Sequence, residues 1–286
     1  MPHSARLACA GRGHLRSCTA CDEPGPGADR AARHGADKRC FTAYRQGECS
    51  VTDRPVPVAD PVDTDRVRHL PIVDNGEALV PASLAPDRLL VRPRYHLEGL
   101  PGALPECFVR EGVLERLLQA AALLPSGYRL VLFDAWRPLA LQRWLFERFA
   151  RELEQGGGLE HIDEFVSRPM PDPAQSPPYH LTGGAVDLSI ANDRGRLLDM
   201  GSGFDAMSDA SHTAYFETAA GDDTQRFRWR DNRRLLYHAM NDAGFVNLPS
   251  EWWHYDYGDQ LWATLGSHEH ALYGAAEPAF RWGELS

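Results

Sequence analysis

The sequence of 286 residues predicts an α+β fold. It reads as a single domain with a central, mainly antiparallel sheet flanked by helices, entered through a poorly ordered N-terminal tail. Three observations predict this. Short apolar, strand-like runs recur between residue 68 and residue 257. Stretches with apolar residues at helical spacing separate them. Residues 1–65 show neither pattern.

Taken in order, residues 1–65 are rich in Gly, Pro, Ala and Arg and hold five of the six cysteines. Such a segment buries too little apolar surface to offset its ordering entropy. Cys18 and Cys21 with Cys40 and Cys49 permit a zinc-knuckle reading, but their spacing is irregular and no helix or hairpin pattern surrounds them. The domain is therefore placed at 66–286. Arg68–Val73 and Leu89–Arg92 read as short extended pieces. From Glu111 to Leu124, Val113, Leu114, Leu117, Leu118, Ala121 and Leu124 line one helical face, and Pro125 to Tyr128 breaks it. Arg129–Asp134 is continuously apolar before its final acid, as in a strand covered on both faces. A second helix is expected from Pro138, a favoured first-turn proline, to about Leu153. Gly184–Ile190 alternates like a strand with one buried face. A helix over Asp231–Ala243 ends at Gly244. Glu251–Tyr257 is aromatic-rich and reads as a strand. If Glu251 and His254 act together, Glu251 must stand at that strand's entry or on a bulge, because strand positions three apart face opposite sides.

The formal net charge of −10 argues against nucleic acid as a partner, since phosphate binding needs a basic face. Lys38 is the one lysine, a skew of composition and not of function. No apolar run reads as a secretory core or a membrane span, so a cytoplasmic protein with no membrane partner is expected. Nothing in the sequence sets the oligomeric state.

Two motifs carry chemistry. Tyr179-His-Leu-Thr-Gly-Gly-Ala-Val-Asp187 holds His180 and Asp187 about a glycine pair, and Glu251-Trp-Trp-His-Tyr-Asp256 adds Glu251 and His254. Each alone is ordinary, for a histidine is commonly a satisfied core or surface residue. Together they supply two imidazoles, a carboxylate that can ligate and a carboxylate that can act as base, the set found in catalytic zinc hydrolases.

The combination resembles the zinc D,D-peptidases of the hedgehog/carboxypeptidase superfamily, and within them the D-alanyl-D-alanine dipeptidases of the vancomycin-resistance type. The resemblance spans roughly residues 88–258. It implies one Zn²⁺ per chain on the sheet, held by His180, Asp187 and His254, with Glu251 as general base. In Asp134-Ala-Trp-Arg-Pro138 it places Arg137 over the metal as a stabiliser of the oxyanion, with Asp134 in support. The simpler reading is an Asp134–Arg137 pair at a helix start. In Asp199-Met-Gly-Ser-Gly-Phe-Asp205, with Ser211 and His212 just after it, the resemblance gives Asp205 to the substrate's ammonium; a solvated loop acid is the rival. One departure stands out. Serines that help to hold substrate in these dipeptidases are replaced here by Pro178 and Tyr179, so a tyrosine hydroxyl is the group left to contact substrate. The expected activity is zinc-dependent hydrolysis of D-alanyl-D-alanine or a related small dipeptide, for cell-wall turnover or glycopeptide resistance. The alternatives are a peptidoglycan D,D- or L,D-carboxypeptidase and a non-catalytic binding relative.

Overall fold

A computed structural model describes residues 51–156, 174–206, 208–218 and 223–279. Cys9, Cys18, Cys21, Cys40 and Cys49, most of the expected tail and the first part of the proline-rich loop before His180 lie outside the described residues. The chain divides into two units, Met1–Arg54 and Pro55–Ser286. The second carries everything that follows.

Its strands are β1 (Leu79–Pro81), β2 (Leu89–Val91), β3 (Phe108–Arg110), β4 (Arg129–Asp134), β5 (Ala185–Ala191), β6 (Val246–Asn247) and β7 (His254–Asp256). Its helices are α1 (Thr64–His69), the single turn α2 (Arg94–Leu97), α3 (Glu111–Leu123), α4 (Leu139–Gly156), α5 (Thr224–Asp242) and α6 (Gln260–Gly266). Five strands form the main sheet in the order β2-β4-β5-β7-β6. Only β2 and β4 run parallel; the other three pairings are antiparallel, so the mixed, mainly antiparallel sheet expected from the sequence is what forms. A separate ladder joins β1 to β3.

The local chemistry explains most boundaries. Leu130, Val131 and Leu132 on β4 are completely buried, which is why that run carries no polar alternation. The expected single buried face on β5 is corrected. All seven of its residues are buried, including Asp187 and Ser189, because β5 is the central strand. Those two polar residues mimic an exposed face in the sequence. The extended reading of Arg68–Val73 is corrected at its start, since Arg68 and His69 are helical. The Asp63 side chain accepts the Arg66 N–H as an N-cap, and Leu70, ahead of Pro71, returns to extended backbone. Helix α5 begins at Thr224, well before the expected Asp231; Asp223 caps it by accepting the Gln225 N–H. The Arg-rich first turns of α5 present no apolar stripe to read. The Glu251–Tyr257 strand is shorter than expected, spanning His254–Asp256 after a turn. Among the described residues, no helix is long and apolar enough to cross a membrane.

Candidate metal centre

Three adjacent strands bring the site together. Asp134 pairs with Asp187 across β4 and β5, past a register shift after Leu132, and Asp187 pairs with His254 across β5 and β7. One row across the sheet thus carries an acid, a second acid and an imidazole. His180 arrives from the 3-10 turn Tyr179–Thr182, which ends at Gly183 in the left-handed region at φ 72°. Gly183 then reverses the chain into β5. The next residue, Gly184, leaves no room for a side chain: an added Cβ would lie 2.6 Å from the Tyr257 carbonyl oxygen. The glycine pair between the motif's His and Asp therefore answers two needs, the positive φ of Gly183 and the close packing of Gly184 on the backbone just after β7.

His180, Asp187 and His254 each present a ligand atom, all within 4.8 Å of one another. Asp187 Oδ1 stands 2.9 Å from His254 Nδ1, and Oδ2 stands 3.4 Å from His180 Nε2. Ligands at about 2.0–2.2 Å around a tetrahedral ion lie roughly 3.4 Å apart. The partners of the two imidazoles favour tautomers that suit metal binding. His180 donates from Nδ1 to the Ala135 carbonyl at 2.7 Å, which leaves the Nε2 lone pair facing the site. His254 turns Nε2 toward the buried Asp256 carboxylate at 3.1 Å, an acceptor that draws the N–H to that side. Its Nδ1 then meets Asp187 with two lone pairs opposed, an arrangement that needs a cation or a proton between them. Burial opposes a charge on His254, yet Asp256 and Asp187 raise its pKa well above the usual range. Burial also works against the Asp187 carboxylate, but His180 and His254 hold its pKa below the usual range. The donor set fits a metal ion.

Glu251 occupies the turn before β7, at the strand's entry, as the motif spacing requires. Asn247 fixes that turn by donating from Nδ2 to the Glu251 carbonyl at 3.0 Å and to the His254 carbonyl at 2.9 Å. The Glu251 carboxylate comes to 3.8 Å from His254 Nδ1. Burial pushes its pKa up to about 8, with His254 pulling the other way. A cation among the ligands would lower that value further.

Arg137 follows the end of β4. Its Nε donates to Asp134 at 2.8 Å, NH1 to Gln142 at 2.8 Å, and NH2 lies 3.5 Å from Asp187. Arg137 therefore makes the Asp134 pair and also reaches the Asp187 carboxylate at the edge of the ligand set. Asp134 also sits 3.5 Å from His180 Nδ1.

Asp205 lines the same cavity, at φ 58°, beside Arg137 and the ligands. Phe204 anchors its loop, with ring centroids 5.8, 5.2 and 5.6 Å from those of Tyr95, Phe133 and Trp253. Beneath it Arg233, buried on α5, donates to the Met200, Ala210 and His212 carbonyls, tying both ends of the loop to one side chain. Burial among neighbouring acids pushes the Asp205 pKa up to about 7, with Arg137 and a Tyr95 hydrogen bond opposing. Tyr179 lines the cavity too, its ring 6.0 Å from that of His254. The cavity measures about 350 Å³, within the range of small-molecule sites.

Every site residue named from the sequence therefore borders one cavity or braces its wall. Sequence reasoning missed Tyr95, Gln142, Asp256 and Arg233. Asp256 alone left a trace, since positions two apart on a strand share a face and His254 occupies the other one.

A family model described as D-ala-D-ala dipeptidase matches residues 102–271, more than half of the chain and all four motif residues. The chain belongs to that family. It is a metallopeptidase. A D-alanyl-D-alanine dipeptidase of Synechocystis sp. is 32% identical over 237 residues, covering 73% of this chain and 95% of that protein. One from Escherichia coli K12 is 30% identical over 156 residues, 52% of this chain and 66% of its own length. Another from Enterococcus faecium is 32% identical over 153 residues, with coverages of 51% and 71%. The family match starts after Tyr95, so that residue and the segment 59–68, which also borders the cavity, lie outside it.

Proposed function

We propose that this chain is a zinc dipeptidase that hydrolyses D-alanyl-D-alanine or a closely related dipeptide with a free amino group. The observation that carries the reading is the Glu251 carboxylate, held 3.8 Å from His254 Nδ1 in the cavity where His180 and Asp187 also converge. His180, Asp187 and His254 would hold the zinc, which would supply a Lewis acid and lower the pKa of a water toward neutrality. Glu251 takes the proton of the attacking water and returns it to the departing amine nitrogen. Arg137, fixed by Asp134 and Gln142, offers guanidinium N–H groups to the carbonyl oxygen as charge develops there. Asp205 pairs with the substrate's ammonium, and the Tyr95 hydroxyl that bonds it holds its direction. Tyr179 stands at the cavity wall where its hydroxyl can meet the peptide.

The names of the relatives, each a D-alanyl-D-alanine dipeptidase, support the same substrate. The direct test compares free D-alanyl-D-alanine with its N-acetyl form on zinc-loaded protein. The free dipeptide should turn over, and the blocked one should be rejected strongly, because acylation removes the ammonium and leaves Asp205 without its partner in a buried site. Equal cleavage of both would favour the carboxypeptidase alternative. Glu251→Ala should retain zinc and lose at least about 10²-fold in kcat; near-normal turnover would remove Glu251 from the role.

A further inference from the structure

The cavity has two walls of different origin. One comes from the sheet and its loops. The other comes from the segment 59–68, of which Ala59, Val62, Val67 and Arg68 are examples that border it. Helix α1 holds that second wall in place. Val67 is buried, and the buried side chain of Gln260 donates from Nε2 to the carbonyls of Leu70 at 2.7 Å and Gln175 at 3.2 Å, clamping the end of α1 to the loop before His180. The backbone that carries Arg68 is therefore fixed at the end of α1.

Charge decides what Arg68 does there. Among the described residues bordering the cavity, the permanently charged cations are Arg68 and Arg137. Arg137 already has a place in the reading above, at the carbonyl oxygen, and Asp134 and Gln142 hold it there through its Nε and NH1. Arg68 is held far more loosely. Its NH1 lies 3.6 Å from Asp65, whose carboxylate side chain is 85% exposed, while the Arg68 side chain is 31% exposed. An ion pair of that length to a solvated acid contributes little and is readily exchanged. Asp60, on the same wall, is exposed as well.

The two cations have different neighbours. Arg137 stands with Tyr95 and Asp205. Arg68 stands near Tyr179, where its charge opposes the burial that raises the phenol's pKa. A free dipeptide carries an ammonium at one end and a carboxylate at the other, and Asp205 accounts for only the first. We infer that Arg68 receives the C-terminal carboxylate of the substrate, so that the segment 59–68 selects peptides ending in a free carboxylate beside the scissile bond. This rests on the dipeptidase reading above.

The test uses the full chain loaded with zinc and two ligands, D-alanyl-D-alanine and its C-terminal amide. In a Glu251→Gln background, which removes turnover, calorimetry should show the carboxylate bound more tightly than the amide. Adding Arg68→Gln should weaken the carboxylate by about 10- to 100-fold, as for a lost charge-assisted bond, and leave the amide nearly unchanged. With Glu251 intact, the Arg68→Gln effect should fall on KM and spare kcat, and Arg68→Lys should recover part of it. An unchanged preference in a folded, zinc-loaded Arg68→Gln protein would overturn the inference while leaving the dipeptidase reading intact. A wild-type protein that cleaves neither ligand would overturn the dipeptidase reading, and this inference with it.

Discussion

His254 shows how the surroundings of one side chain suit it to bind a metal. Its ring lies between Asp187 on Nδ1 and Asp256 on Nε2, and both carboxylates are buried. Only the Asp256 side can use the N–H if Nδ1 is to face a metal. Asp259 is buried behind Asp256, where burial and that neighbouring carboxyl raise its pKa well above the usual range. Asp256 is thus the group that sets the tautomer, and Asp256→Ala should lower zinc affinity about 10- to 100-fold, as for other outer partners of metal-bound imidazoles. Chelator competition on the purified variant measures it; unchanged affinity would show that the ring is oriented without Asp256. The residues legible in the sequence were those in compact motifs: His180, Asp187, Glu251, His254, Arg137 and Asp205. Tyr95 was not legible. It comes from a separate element, and its only signal is spatial, through the folding of α2 against the cavity.

Among the elements, β5 and the turn before it matter most. The turn delivers His180, Gly183 reverses it with a positive φ, and Gly184 packs against the Tyr257 carbonyl. The same contact is bonded, since the Tyr257 N–H donates to the Gly184 carbonyl at 3.1 Å. A methyl group at Gly184 would press on backbone that cannot rotate away. Gly184→Ala should therefore cost about 1–3 kcal/mol, the usual penalty for overpacking, and should loosen zinc by separating His180 from β7. Thermal melting with and without zinc reads both effects; a variant as stable and as tightly loaded as the parent would contradict the packing account. Helices and strands with strong patterns, α3 and β4 above all, were readable to within a residue. The start of α5 was not, because its early turns are polar and its signal was the single cap at Asp223. The single-faced reading of β5 failed for a related reason: the buried polar residues of a site look like an exposed face.

At the scale of the whole molecule, the order of the sheet creates the function. Placing β5 between β4 and β7 aligns Asp134, Asp187 and His254 in one row, from segments far apart in sequence. A mainly antiparallel sheet could be anticipated from the strand-like runs; which strands would be neighbours could not, since pairing is decided by long-range packing. The central claim is that this row, with His180, is a zinc centre. Anomalous diffraction at the zinc edge, on crystals of the purified chain, tests it most directly. One zinc peak should lie about 2.0–2.2 Å from His180 Nε2, the Asp187 carboxylate and His254 Nδ1. A folded chain with no zinc at this position, or with its zinc held by other residues, would contradict it.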